Sequence, residues 1–239
     1  MSNKIIAARI ILTALFGSPC AMPQAASLQI APVTVDVTAP GATATLNLRN
    51  PGDKPLDGQV RVFKWTQIDG EDKLVPTEDV VASPPMVSLR PNTNYVVRIV
   101  RTTKEPVTGE ETYRLLIDEL PGPAAERRTT VNIVLRYSIP VFFTAPGAAA
   151  GKLKWALQRR NNKLFLSATN DGDRRVRIAK LKITDTKGAT ASFGEGLAGY
   201  VLGHSTKIWP VSAKAKGFGS GGLASISAES DLGPINAKP

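Results

Sequence analysis

Thr129-Thr-Val-Asn-Ile-Val-Leu-Arg-Tyr-Ser-Ile-Pro-Val-Phe-Phe143 is a long apolar-rich run carrying five β-branched aliphatic residues, at Val131, Ile133, Val134, Ile139 and Val141. Aromatic residues follow at Tyr137, Phe142 and Phe143, and the mixture favours strand over helix. The run exceeds the roughly 5–6 residues of an ordinary strand. Side chains alternate across a strand, so Val131, Ile133 and Leu135 share one face and Asn132, Val134 and Arg136 the other. An apolar face of this length must be covered. Alternation leaves two covers open, the core of the same domain or another protein.

Working outward, the segments before this run read as a series of further strands. Val33, Val35 and Val37 alternate with Thr34 and Asp36, and Pro32 marks that strand as an edge or a broken one. Ala44–Arg49 alternates again, Asn50-Pro-Gly-Asp-Lys-Pro55 is a dense turn, and Gln59–Trp65 is strand. Asp69-Gly-Glu-Asp72 reads as a loop. Val80–Val87 reads as irregular, because Ser83-Pro-Pro85 suits neither a central strand nor a helix interior. Tyr95–Arg101 and Tyr113–Leu120 complete the set. Short strands, closely spaced turns and no sustained helical period predict a Greek-key sandwich over residues 27–144.

Thr144-Ala-Pro-Gly147 reads as a linker. Beyond it, strands are predicted at Leu153–Leu157, Lys163–Thr169, Val176–Ile183, Ala198–Leu202, Thr206–Pro210 and Leu223–Ser227. Hairpin-like turns are expected at Asn170-Asp-Gly-Asp173 and Thr186-Lys-Gly188. Residues 145–239 therefore form a second, smaller β-sandwich, and the fold class is all-β.

The basic start, the apolar stretch Ile5–Phe16 and the small residues Ala21–Ala26 read as a secretory signal peptide over residues 1–26. No later segment offers the roughly 20 apolar residues that a membrane-spanning helix needs, so no insertion is expected once the signal is removed. The single cysteine, Cys20, falls inside the signal. An exported chain without disulfides must hold itself together by core burial, which about 210 residues in two units allow. The formal charge of +10 is compatible with an acidic surface, an acidic protein or nucleic acid. The runs Arg159-Arg160 and Arg174-Arg-Val-Arg177 lack interleaved aromatics, which speaks against nucleic acid.

Catalysis has little to draw on. His204 is the only histidine, and beside Gly203 it reads as a turn residue; Ser205 has no nucleophile-elbow context. No cysteine and histidine cluster offers a metal site, and Asp171 and Asp173 lack the further oxygen ligands that calcium takes in series. Gly217-Phe-Gly-Ser-Gly-Gly222 matches a dinucleotide motif by letter. It leads into an alternating strand rather than a helix, so a phosphate would find no helix N-terminus. The expectation is a non-enzymatic protein without metal or cofactor.

Several motifs in order carry a family resemblance: Asn50-Pro-Gly-Asp-Lys-Pro-Leu56, Arg61-Val-Phe-Lys-Trp65, Val81-Ala-Ser-Pro-Pro85, Tyr113-Arg-Leu-Leu-Ile-Asp-Glu-Leu-Pro121 and Leu135-Arg-Tyr-Ser-Ile-Pro-Val-Phe142. The chain resembles the periplasmic pilus-assembly chaperones of the PapD-like family, most of all the archaic branch that serves spore-coat-U-type fimbrial subunits. The resemblance covers Ser27–Phe143; the second domain is similar in outline only. It implies two immunoglobulin-like sandwiches set as an L or boomerang around a cleft. It implies donor-strand complementation, in which the strand of residues 129–143 enters the groove of an incomplete pilin sandwich. The matching donors are Thr129, Val131, Ile133 and Leu135. The implied partners are fimbrial subunits and an outer-membrane usher, in the periplasm. An Ig-like adhesion or structural module that binds through its loops is the other reading.

The resemblance also locates departures. In the family a basic pair in the cleft holds the subunit's C-terminal carboxylate, and Pro32 and Pro140 stand at those places here. Arg136 and Arg101 are the substitutes the sequence offers, because a guanidinium fork suits a carboxylate. The family also braces its two domains with an acidic–arginine cluster. Glu119 and Asp231 stand at plausible acidic positions, whereas Thr144 occupies the place of the arginine, so the brace is expected to be missing or rerouted.

Overall fold

The structure, a computed structural model, describes residues 28–121, 134–212, 218 and 222–238. Thr129, Val131 and Ile133 lie outside the described residues, as does the segment read as a signal peptide. The described residues contain no helix.

Among the described residues the first domain holds ten strands. These are β1 (Gln29–Ala31), β2 (Val35–Thr38), β3 (Thr43–Arg49), β4 (Leu56–Ile68), β5 (Glu71–Pro76), β6 (Val80–Ser83), β7 (Met86–Leu89), β8 (Asn94–Arg101), β9 (Glu110–Glu119) and β10 (Arg136–Thr144). One sheet runs β1-β3-β8-β6, the other β2-β10-β9-β4-β5 with β7 on β4. Alternation sets the faces. Leu46 and Leu48 of β3 and Val97 and Ile99 of β8 turn inward from one sheet, while Thr45, Asn47 and Arg98 face water. They meet Val60, Leu115, Ile117, Val141 and Phe143 from the other sheet in one core.

Among the described residues the second domain holds eight strands: β11 (Leu153–Arg160), β12 (Lys163–Asn170), β13 (Val176–Asp185), β14 (Thr190–Ser192), β15 (Leu197–Val201), β16 (Thr206–Pro210), β17 (Leu223–Ser230) and β18 (Gly233–Ala237). Sheets β11-β12-β16 and β14-β13-β17-β18, with β15 on β13, enclose Leu166, Ile178, Leu181, Ile183, Val201 and Trp209. Asn161 and Asn162 both adopt positive φ, 48° and 59°, in the two-residue turn between β11 and β12. A hairpin turn of that hand matches the twist of the strands, and asparagine tolerates it.

Four local expectations need correction. Val80–Val87 is not irregular: it is β6 and β7, one on each sheet, and Pro84-Pro85 occupies the crossing, where no backbone N–H is required and the Pro85 carbonyl accepts from Val60 N at 2.8 Å. Asp69–Asp72 is not a simple loop but the turn into β5, whose six residues are all exposed, so no apolar face announced it. Asn170–Asp173 is not a hairpin; it carries the chain from β12 in one sheet to β13 in the other. Of the opening run, the described part is strand only from Arg136, where β10 begins, so Val134 and Leu135 precede the strand; residues 129–133 lie outside the described residues.

Candidate functional site

β10 has one covered edge and one partly open edge. It pairs with β9 along its whole length, from Arg136↔Asp118 to Thr144↔Glu110. On the other side β2 pairs only with Val141–Thr144. Glu119 N donates to the Leu135 carbonyl at 2.9 Å, which aims the odd-numbered main-chain groups at β9. The even-numbered groups point away from β9, as Thr144 O does when it accepts from Ala39 N at 2.9 Å. Among the described residues, the peptide groups of Val134, Arg136 and Ser138 are therefore left without a strand partner, and the pairing with β2 begins where Val141 meets Val35. Pro140 lacks its N–H on this same open side, where proline is tolerated.

The same parity explains the apolar face. Tyr137, Ile139, Val141 and Phe143 are odd-numbered and pack into the first domain's core. The face then runs out past that core, and Leu135 is 39 % exposed, with Val134 on the opposite face at 52 %. Where the described chain resumes, its core-facing parity has no core of its own to enter.

The two domains meet along the other end of β10. Trp65, Phe142, Tyr200 and Leu202 form one buried cluster, with the Trp65 and Tyr200 rings edge-to-face at 5.5 Å. Gln67 clips the backbone of the second domain twice, donating to Tyr200 O at 2.8 Å and accepting from Leu202 N at 3.0 Å. Ile208 N donates to Gly70 O at 3.1 Å. Arg175 reaches across to Glu110, whose side chain is fully buried: its backbone N–H bonds Oε1 at 2.8 Å and its Nη1 bonds Oε2 at 2.6 Å. Arg175 also pairs with Asp36 and lies 3.5 Å over the Phe142 ring. Thr144 Oγ1 donates to the same Glu110 carboxylate at 3.1 Å.

This brace uses residues other than the sequence candidates. Glu119 stays within the first domain, accepting from Leu135 N at 3.3 Å and from the Tyr137 hydroxyl at 3.1 Å. Asp231 accepts from Arg177 N at 3.0 Å within the second domain. The cluster is rerouted: the arginine comes from the second domain, and Thr144 serves as a neutral donor to the shared glutamate.

Three arginines frame the question of an anion site. Arg101 is occupied. Its fork binds Glu111 at 2.8 and 2.7 Å and its remaining donors reach the carbonyls of Thr103 and Glu105, so its side chain is 8 % exposed. Arg136 is 62 % exposed and shares Asp118 with Arg61 at the outer end of the sheet. Burial raises the Asp118 carboxyl, but these two cations outweigh it and hold the group below its ordinary value. Arg114 was not singled out by sequence. It sits on β9 directly across from Pro140 of β10 and Phe63 of β4, with its guanidinium 3.8 Å over Trp65 and 5.6 Å from the Tyr200 ring centroid. Burial pulls it below the ordinary arginine value, and no carboxylate pairs with it among the described residues. The one signal available beforehand was its place in Tyr113-Arg-Leu-Leu, a cation between apolar residues. Among the described residues no cluster of metal-ligating side chains occurs. Asp171 pairs with Lys154, and Asp173 meets His204 at 2.8 Å, with His204 in the turn conformation at φ 52°.

Comparisons with known proteins bear on the family and the fold. Residues 27–148, half of the chain, match the family described as "Pili and flagellar-assembly chaperone, PapD N-terminal domain". No curated protein matches the chain. Among solved structures, the chain resembles one from the CsuC–CsuE chaperone–tip adhesion subunit pre-assembly complex of the archaic Csu pili of Acinetobacter baumannii. The TM-score is 0.71 at 24 % identity, over 88 % of this chain and 98 % of that one. It also resembles a chain of the Salmonella enterica SafA pilin–SafB chaperone complex, at TM-score 0.62 and 21 % identity over 90 % and 97 % of the two chains. The E. coli chaperone DraB matches at TM-score 0.59 and 21 % identity, over 90 % and 99 %. At this level of identity the structures establish a shared fold of two Ig-like domains. The sequence match to residues 27–148 goes further: the chain belongs to the PapD-like family of pilus- and flagellar-assembly chaperones.

Proposed function

We propose that this protein is a periplasmic chaperone that caps pilus or fimbrial subunits by donating its β10 strand and the residues just before it, then passes them to an outer-membrane usher. The observation that carries this reading is the open edge from Val134 to Ser138, leading into and along the first part of β10, beside a core-parity face that emerges into solvent at Leu135. Unpaired main-chain groups can add a strand to another sheet, and alternate side chains can fill that sheet's pockets. Thr129, Val131, Ile133 and Leu135 continue the parity and are the proposed donors. Each of the three apolar ones contributes about 1.5–3 kcal/mol on burial, before the costs of association. Two of the structures that share the fold are, by their own descriptions, chaperone–subunit complexes.

Arg114 is the residue we assign to the subunit's C-terminal carboxylate. It lies across one ladder step from Pro140, it is partly exposed, and stacking on Trp65 already orients its fork. The N-terminal segment, read as a secretory signal peptide, supports a periplasmic location for this chemistry.

Co-expression with a cognate subunit tests the reading. The double variant Ile133→Asp/Leu135→Asp should fold as the parent does and should recover little soluble subunit. Undiminished recovery would remove strand donation as the mechanism.

A further inference from the structure

Glu119 ends β9 one ladder step beyond the Arg136↔Asp118 pair, across from Leu135, and it holds that proposed donor by both of its main-chain groups. The Glu119 N–H donates to the Leu135 carbonyl at 2.9 Å, and the Leu135 N–H donates to Glu119 Oε2 at 3.3 Å. The other carboxylate oxygen, Oε1, accepts from the Tyr137 hydroxyl at 3.1 Å, and that hydroxyl accepts from Leu28 N at 2.9 Å. One side chain thus ties two successive odd-numbered residues, Leu135 just before the strand and Tyr137 inside it.

Its neighbour acts on the opposite face. Consecutive residues of a strand point to opposite faces, so Asp118 lies on the outer side, where it pairs with Arg136 of β10 and Arg61 of β4. Two adjacent acids therefore fix the entry to β10 from both faces, in position along β9 and in roll about the strand axis. Both settings matter to a donated strand. A slip of one residue would move every side chain to the other face. A change of roll would turn the even-numbered peptide groups away from the open edge. Leu135 remains 39 % exposed, so the hold is on its backbone and leaves its side chain free to be buried elsewhere.

Given strand donation as proposed above, on which this role rests, we infer that Glu119 is a positioning residue: it sets the register and roll of the donor segment in the free chaperone, so that an incoming subunit meets Leu135 already aimed at its groove. Ordering a segment before binding removes that cost from association. The benefit falls on capture rather than on release, because a subunit strand paired along the open edge holds the segment by itself. Asp118 has a different part, since it holds the Arg136 side chain whereas Glu119 bonds the main chain of a donor residue. Glutamine can keep both side-chain contacts, its amide oxygen accepting from Leu135 N and its NH₂ donating to the Tyr137 hydroxyl. Alanine keeps neither.

The test follows capture of a cognate fimbrial subunit, unfolded in urea and diluted into excess chaperone, together with dissociation of the finished complex. Glu119→Ala should slow capture by at least about threefold. It should leave the dissociation rate near the parent's and speed amide exchange at Leu135, and Glu119→Gln should restore both capture and exchange. Tyr137→Phe controls for stability: it removes the same hydroxyl contact, leaves the Leu135 bond, and should capture at the parent's rate. Capture by Glu119→Ala at the parent's rate would overturn the positioning role. So would an equal slowing by Tyr137→Phe, which would reduce the effect to stability. Ile133→Asp/Leu135→Asp, run alongside, separates the two readings. Normal capture by that variant would remove strand donation and the positioning role with it, whereas its failure beside normal capture by Glu119→Ala would overturn the positioning role alone.

Discussion

Arg175 of the second domain and Glu110 of the first are joined twice, through the backbone N–H at 2.8 Å and through Nη1 at 2.6 Å. Glu110 is fully buried, so its charge depends on this partner across the domain boundary. Arg175→Ala leaves that carboxylate with only Thr144 and one backbone donor. Breaking one side of a buried pair costs about 3–5 kcal/mol. Urea unfolding should show that loss, and Glu110→Gln should be milder, because a neutral amide can still bond. A loss below about 1 kcal/mol for Arg175→Ala would show that the brace contributes little.

Gly70 closes the β4–β5 turn with φ 82°, and a Cβ there would stand 2.4 Å from Ile208 of the second domain. Gly70→Ala therefore meets both backbone strain and a side chain that cannot be passed. It should separate the turn from β16 and break the Ile208 N to Gly70 O bond. Faster amide exchange at Ile208, with the first domain's core protected as before, is the expected readout; unchanged exchange there would contradict the contact.

Arg114 and Arg101 should respond differently to truncation. Arg101→Ala removes the fork that neutralises Glu111 and should lower stability by about 3–5 kcal/mol, as for other half-broken buried pairs. Arg114→Ala removes a cation with no ionic partner in the free chain, so stability should change little while subunit recovery falls. If Arg114→Ala recovered subunit normally and Arg101→Ala, still folded, did not, the carboxylate assignment would move to Arg101.

Acid should destabilise the first domain in a defined direction. Burial raises the Glu111 carboxyl, but hydrogen bonds from Arg101 and the nearby positive charges outweigh it and hold the group below its ordinary value. Asp118 behaves alike through Arg136 and Arg61. A carboxyl held lower in the folded than in the unfolded chain adds stability above the unfolded value, about 4. That contribution is lost as pH falls through the native value. Urea midpoints should be flat above roughly pH 5 and drop below roughly pH 4, and Arg136→Gln should shrink the drop by relaxing Asp118. A midpoint that rose on acidification would reverse the sign and refute the argument.

Tyr137 anchors the start of β10. Its hydroxyl accepts from Leu28 N at 2.9 Å and donates to Glu119 at 3.1 Å, and burial, with Glu119 beside it, pushes its ionisation up to about 12. Tyr137→Phe should cost about 1 kcal/mol and speed exchange at the Leu28 amide.

Much of the architecture was legible in the alternation. Leu46, Leu48, Val97, Ile99 and the β9 and β10 residues announced their faces, and Thr206–Pro210 had the same bounds in sequence and structure. β5 was hidden because all of its side chains are exposed, and Val80–Leu89 because two prolines masked a crossing between sheets. For the site, sequence singled out the parity of Thr129–Leu135 as the donor face. It offered Arg101 and Arg136 as anion holders and passed over Arg114.

The sequence by itself determined that this is an all-β chain of two sandwiches with its positive charge loaded into the second. Period-two patterning and composition are properties of the chain alone. Only the tertiary structure decided where the Tyr137–Phe143 face leaves its core, that Arg101 is spent on Glu111 while Arg114 is not, and that Glu110 and Arg175, sixty-five residues apart, brace the domains. Alternation states which residues share a face. What that face meets, whether water, a core or the other domain, is set by contacts between strands remote in sequence.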